Sequence, residues 1–172
     1  MTLQNHEFVS FNNQRQEWVI GIEAYRTGVA FLKQNSALEV GRHVLLQLMR
    51  DTGETANLAV PDQSEVVFVA QIETQNPIRA FFPPGTRTSM HASGIGKAIL
   101  AAMNEAALTN VLKMSKLQAY TSNTLASREN LLSDLDITRK RGWSYDREER
   151  HEGMSCIGAA IFDEYKQPCA GI

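Results

Sequence analysis

Residues 8–20, "FVSFNNQRQEWVI", alternate apolar and polar positions on either side of Asn12 and Asn13. The pattern predicts two short strands, 8–11 and 15–20, joined by a turn and stopped at Gly21. An isolated hairpin is marginal in water, so this one is expected to belong to something larger. From 23 to 34 the period becomes helical, with Ala24, Val29 and Leu32 apolar. Ser36 and Glu39 have capping-box spacing and open a second helix that carries Leu38, Leu45 and Leu48 and stops at Gly53.

The period then falls towards 2. Strands are predicted over 55–60, over 66–73 after a Pro61-Asp62 turn, and over 78–82 before the Pro83-Pro84-Gly85 break. Tight turns between them argue an antiparallel meander. Helices follow over 93–103 and 105–114, then a polar loop. A long helix over 128–141 carries Leu131, Leu132 and Leu135, with Arg139, Lys140 and Arg141 in its last turn, where cations suit the helix dipole, and Gly142 after it. Strands over 143–147, 155–162 and 168–172 close the chain. Strands, helices and strands again on one antiparallel sheet make an α+β sandwich, which sensor domains and enzymes share.

Composition narrows the classes. A chain of 172 residues that is 43% hydrophobic buries one core. A formal net charge of −2 with 17 scattered basic residues argues against an intrinsic nucleic-acid or membrane surface. No apolar run approaches the roughly 18–20 residues of a membrane span, so no membrane partner is expected. Cys156 and Cys169 read as lying on neighbouring strands, and no basic and apolar leader precedes the first helix. A cytoplasmic chain with reduced thiols is expected.

The stretch "MHASGIGKAIL", residues 90–100, has the look of a phosphate loop. Counting back five from Gly96 gives His91, however, and Ala98 follows Lys97, so the pattern fails at two positions. A dinucleotide fingerprint fails as well, because a third glycine is lacking and a Pro-Pro-Gly-Thr loop precedes it. What remains is a helix start whose amides at Gly94, Ile95 and Gly96 favour a small anion such as a carboxylate. The competing reading is that Gly94 and Gly96 let the helix pack closely on the sheet. Lys97, one turn in, is expected to extend its ammonium to solvent rather than pair with an anion.

Cys156 with His91 or His151 is a possible nucleophile and base, which makes a small cysteine-dependent enzyme the alternative function. A buried inert thiol is the commoner state of such a cysteine. His91, His151, Cys156 and Cys169 match no zinc spacing, so neither a metal nor another cofactor is expected. Of the charge run 146–150, Arg147, Glu148 and Arg150 read as a solvated loop. Asp146 follows the alternating Trp143 and Tyr145, can face inward, and then needs a partner.

Three segments read together, "LLQLMRDTGETANLAV", "MHASGIGKAIL" and "RKRGWSYDREERHEGMSCIGAAIFD", resemble the effector-binding domain of the isocitrate lyase regulator (IclR) family of bacterial transcription factors. In the third, Gly142, Asp146, Glu149, Gly153 and Cys156 stand in the family's order and spacing. The resemblance implies a GAF/profilin-like sensor domain over 36–172, preceded by a linker helix over 22–35. Residues 1–21 resemble the wing hairpin of a winged helix-turn-helix, with Trp18, Ile20 and Gly21 at the motif positions. Both ends look trimmed against the family pattern, which has a recognition helix upstream and pocket serines beyond residue 172. It further implies a non-enzymatic regulator that binds a small carboxylate or aromatic acid, reaches DNA through the missing N-terminal domain, and forms a homodimer or homotetramer. The implied effector-binding residues are Gly94, Ile95, Asp146, Met154 and Cys156. Helix amides would take the carboxylate, and Asp146 would accept a hydroxyl or hydrate proton. Ile95 stands where a smaller residue is common, which would narrow the pocket.

Overall fold

A computed structural model describes residues 2–34, 36–74, 76 and 82–172, with 34 and 36–39 described by backbone alone. Its contacts divide the chain into two units, Met1–Val40 and Gly41–Ile172. In the first, β1 (Val9–Asn12) and β2 (Glu17–Ile20) pair antiparallel from Val9↔Ile20 to Asn12↔Glu17. The Asn12 side chain accepts the Gln14 and Arg15 amides, so the turn takes two residues expected in the second strand. Phe11 meets Trp18 edge to face at 5.2 Å. Helix α1 (Ile22–Gln34) follows Gly21, where a Cβ would lie 2.0 Å from the Glu7 carbonyl oxygen.

The second unit takes most of α2 (Ser36–Thr52), whose Leu45 is fully buried. Then come β3 (Ala56–Asp62) and β4 (Glu65–Ile72). The turn falls at Gln63-Ser64, two residues later than expected, with Gln63 at φ 57°. Pro61 is therefore a strand residue, opposite Val66. In a two-residue hairpin Asp62↔Glu65 is the hydrogen-bonded pair, so the next pair inward is not, and the missing Pro61 N–H costs the β3–β4 ladder no bond. Arg87 of β5 (Arg87–Ser89) ties the hairpin mouth by reaching Asp62 and Glu65, each at 2.7 Å. The expected strand at 78–82 lies outside the described residues apart from Phe82, and Ser36 and Glu39 are described by backbone alone, so their box is not. That ring stacks on Phe68 at 4.8 Å against the core.

After a 3-10 turn, Met90–Ala92, come α3 (Gly94–Ala102), α4 (Glu105–Met114) and α5 (Arg128–Arg141). Ser93, Asn104 and Ser127 cap them by accepting the amides of Gly96, Ala107 and Asn130. Gly142 ends α5 at φ 86°, in the left-handed conformation that suits glycine. Leu131 and Leu135 are buried with Ile99, Leu100 and Met90 in one core.

The closing strands are β6 (Ser144–Arg147), β7 (Ser155–Gly158), β8 (Ala160–Phe162) and β9 (Pro168–Gly171). The fold class is the expected α+β, with antiparallel sheets carrying helices. The expected single sheet and single strand over 155–162 both need correction. Among the described residues, β5-β4-β3-β9-β8 form one antiparallel sheet, while β6 and β7 pair apart from it, and Cys156 and Cys169 stand on strands that do not adjoin. The chain changes sheet at Gly158-Ala159, where a Cβ on Gly158 would lie 2.4 Å from the Gly94 carbonyl carbon. Only a bare backbone lets β7 run so close to the start of α3.

Gly96 is as constrained, since a Cβ there would come within 2.3 Å of the Met90 Cα. Gly96→Ala is expected to destabilise the domain by about 1–3 kcal/mol or more, as overpacking against backbone does. Gly28→Ala, in the interior of α1 with open space around it, should be neutral or stabilising by about 0.5–1 kcal/mol. Urea unfolding of the two variants checks both.

Candidate functional site

The expected site residues converge where α3 begins beside the β6–β7 ribbon. Asp146 of β6 lies directly opposite Cys156 of β7 in the register, and Met154, half-buried, precedes β7. Ser144, fully buried two residues before Asp146, donates its hydroxyl to the Gly94 carbonyl and so fastens β6 to the helix start. A Cβ on Gly94 would lie 3.1 Å from the Ile157 carbonyl carbon, so the close-packing reading holds for both glycines of the motif.

Of the three amides expected to be free, one is taken. The Gly96 N–H donates to Ser93 Oγ at 2.9 Å. Those of Gly94 and Ile95 have no acceptor among the described residues. The Ile95 side chain is buried in the core, with its Cγ2 only 2.7 Å from where a Gly171 Cβ would stand. What Ile95 can offer a ligand is its backbone.

Asp146 faces inward and is 2% exposed. Its Oδ1 accepts the Glu149 N–H at 2.8 Å. Burial raises its pKa, opposed by that hydrogen bond and by the charges of Lys97 and His151. Glu149, 3% exposed, is raised by burial too, opposed chiefly by its bond to Lys97.

Lys97 overturns the expectation of a solvent-facing ammonium. It is fully buried, and its Nζ donates to Glu149 Oε1 at 2.5 Å and to the Tyr145 carbonyl at 2.6 Å. Asp134 of α5 completes an ion pair at 3.1 Å, without hydrogen-bond geometry. A side chain this deep inside cannot reach water, so the fold supplies carboxylates instead. The charge run is also less solvated than expected. Arg150 lies 3.7 Å over the Tyr120 ring, Glu148 accepts the Gly153 amide, and Thr121 and Thr124 donate to the carbonyls of Glu148 and Glu149.

Sequence reasoning missed Lys97, Glu149 and Ser144 as parts of this network. One signal was available: in "GIGKAIL" the lysine has apolar residues or glycine on every side. A cation on an otherwise buried helix needs a carboxylate nearby, and Glu149 follows Asp146 by three positions.

The two candidate bases make other contacts. His91 Nε2 lies 2.9 Å from the Gln118 carbonyl, which can only accept, so that nitrogen carries the proton. Burial lowers its pKa, the Gln118 bond opposes this, and the Arg150 charge adds to the lowering. The exposed His151 tilts against Phe82 at 6.3 Å. Neither hydrogen-bonds Cys156, and no cluster of three metal-binding side chains stands together among the described residues. Also among these residues, no helix is long and apolar enough to cross a membrane. A cavity of about 260 Å³ lies apart from the expected site residues, between Ser64, Glu65, Ser89, His91, Tyr120 and the segment 114–118.

Comparison with known proteins gives this geometry a context. Residues 29–172 match the family model described as the bacterial transcriptional regulator IclR C-terminal domain. The chain belongs to the IclR family. It is 44% identical over 172 residues to the HTH-type transcriptional regulator BhcR of Paracoccus denitrificans, covering 100% of this chain and 62% of that protein. The crystal structure of the Thermotoga maritima IclR superposes with a TM-score of 0.82 at 30% identity, covering 98% of this chain and 68% of that one. The complex of a double mutant of the PobR inducer binding domain from Acinetobacter with 3-hydroxybenzoic acid, at 23% identity, shares the fold with a TM-score of 0.69 over 77% of this chain and 78% of that one. The chain thus spans 62–63% of the length of the first curated relatives it matches, and it carries the effector-binding domain of an IclR-family regulator.

The nucleophile reading meets a physical obstacle. Burial first, then the charge of Asp146, pushes the Cys156 thiol up to about 11. At neutral pH the thiolate, which is the reactive form, is scarce. Alkylation of Cys156 by iodoacetamide at pH 7.5 is therefore expected to run at least about tenfold slower than that of a free cysteine of pKa about 8.5, with a rate still climbing at pH 10. Mass spectrometry of the Cys156 and Cys169 peptides over time checks this, and fast labelling abolished in His151→Ala would revive the enzyme.

Proposed function

We propose that this domain senses a small organic acid at the start of α3 and thereby modulates DNA binding by a winged helix-turn-helix. What supports the reading is that two α3 amides, at Gly94 and Ile95, have no acceptor among the described residues, and that the buried Asp146 lies on a strand fastened to that helix end by Ser144. Amides at the positive end of a helix dipole complement a carboxylate. Asp146, with Oδ1 held by the Glu149 amide, has its other oxygen for a hydroxyl or hydrate of the ligand. Met154 and Cys156 form the wall, the thiol uncharged and weakly polar. The 3-hydroxybenzoate in the PobR inducer binding domain supports a carboxylate or aromatic acid as the class of ligand.

DNA would be reached through a domain preceding this chain, of which the hairpin at 1–21 is the wing and α1 the linker, with dimers or tetramers aligning paired half-sites. The protein works in the cytoplasm, without a cofactor and without catalysis.

Thermal unfolding against a panel of small carboxylates and aromatic acids tests the reading. An acid at 100 times its Kd stabilises by about 2.7 kcal/mol, or a rise in Tm of about 5–10 °C. The rise is expected for one chemical class and should vanish in Asp146→Ala while the unliganded variant stays folded. Shifts that survive in Asp146→Ala would move the site elsewhere, the cavity beside His91 being the first place to look.

A further inference from the structure

The candidate site depends on a segment, 145–149, that belongs to no helix and only in part to a strand. Left to itself such a segment has no reason to hold Asp146 against the α3 N-terminus. Three groups fix it. Thr121 and Thr124 donate to the carbonyls of Glu148 and Glu149 from outside. From inside, Lys97 Nζ takes both the Tyr145 carbonyl, immediately before Asp146, and the Glu149 carboxylate, three residues after it. Glu149 in turn gives its amide to Asp146 Oδ1. Lys97 therefore grips the segment on both sides of Asp146, and it does so from one turn past the amides of Gly94 and Ile95.

We propose that Lys97 is the positioning residue of the effector site: it sets the place and orientation of Asp146 relative to the Gly94 and Ile95 amides without touching the ligand. The proposal rests on the effector-site reading above. Charge supports a positioning role over ligand contact. Lys97 is fully buried and already faces Glu149 and, from α5, Asp134, while Asp146 lies within reach of its field and His151 adds a further charge from the loop. Two of its three donors are bonded to Tyr145 and Glu149 and its charge also faces Asp134, so a bound carboxylate must look to the helix amides.

The test uses Lys97→Met, which keeps the length of the side chain and removes its donors, and Lys97→Met/Glu149→Gln, which removes the carboxylate that the first variant strands. The Asp146 carboxyl is followed by carbon NMR against pH, the Glu149 amide by its proton shift, and affinity by titration with the acid found in the panel. In Lys97→Met the Asp146 midpoint should move up, because a nearby cation and a well-placed N–H are both lost, and the Glu149 amide signal should shift. Affinity should fall about tenfold, the worth of one well-made hydrogen bond. In the double variant thermal stability should recover while affinity stays low, which a merely structural lysine would not produce. Wild-type affinity in the double variant, or an unmoved Glu149 amide in Lys97→Met, would overturn the proposal. If the wild-type chain binds no acid, or Asp146→Ala binds as well as wild type, the effector-site reading fails. The NMR signals of Asp146 and Glu149 then decide the positioning role by themselves.

Discussion

The contact between Gly94 and Gly158 constrains everything around it. A Cβ at Gly158 would lie 2.4 Å from the Gly94 carbonyl carbon and one at Gly94 a tight 3.1 Å from the Ile157 carbonyl carbon, since β7 crosses the first residue of α3 backbone to backbone. This fixes where the chain leaves the β6–β7 ribbon and joins the main sheet as β8, and hence where Ala159 exchanges both of its backbone bonds with Ile172 at 2.9 Å. It also fixes the distance between the helix amides and the ribbon that carries Asp146 and Cys156. A glycine pair thus does structural work and, by bringing a helix end and a strand together, creates the geometry from which a ligand site can be made.

Such a junction leaves charges inside. Lys97, Glu149 and Asp146 are all buried, and desolvation penalises each carboxylate, which is why burial leads the causes that raise the pKa values of Asp146 and Glu149. A buried ion pair of this kind adds little net stability over a well-packed apolar pair, although removing one partner costs about 3–5 kcal/mol. Its physical value is directional. Short bonds from Nζ to one carboxylate and one carbonyl define the path of 145–149 in a way that apolar packing, which has no preferred angle, cannot.

The local elements were largely legible in the sequence because their signals are local. Gly142, the cations of the last turn and the spacing of Leu131 and Leu135 delimit α5 without reference to anything else. The hairpin at 9–20 follows from alternation and the Asn12 turn. What the sequence concealed is non-local. Pro61-Asp62 looks like a turn until the pairing with Val66 and Glu65 places the reversal at Gln63-Ser64. The run 155–162 looks like one strand until the nearness of Gly94 to Gly158 breaks it. Lys97 looks solvent-facing because its carboxylates lie 37 and 52 positions away in the chain. Gly94 and Ile95 were legible as a helix start with free amides, whereas Met154 and Cys156 as effector residues came from resemblance to a family. Alternation supplied the inward face of Asp146, which the structure bears out.

In the effector site proposed above, selectivity lies with few groups. The Ile95 side chain is committed to the core beside Gly171, so it shapes the pocket through its backbone position and not by bulk. The amides of Gly94 and Ile95 are common to any carboxylate and cannot tell one acid from another. On the proposed reading, discrimination then comes from Asp146, which can accept from a hydroxyl but repels a second carboxylate unless it is itself protonated, and from the size of the Met154 and Cys156 wall. A monocarboxylate bearing a hydroxyl, a hydrated carbonyl or a phenol satisfies all of these groups at once. A dicarboxylate would set its second charge against Asp146 and Glu149, with Lys97 already held by Glu149 and Tyr145.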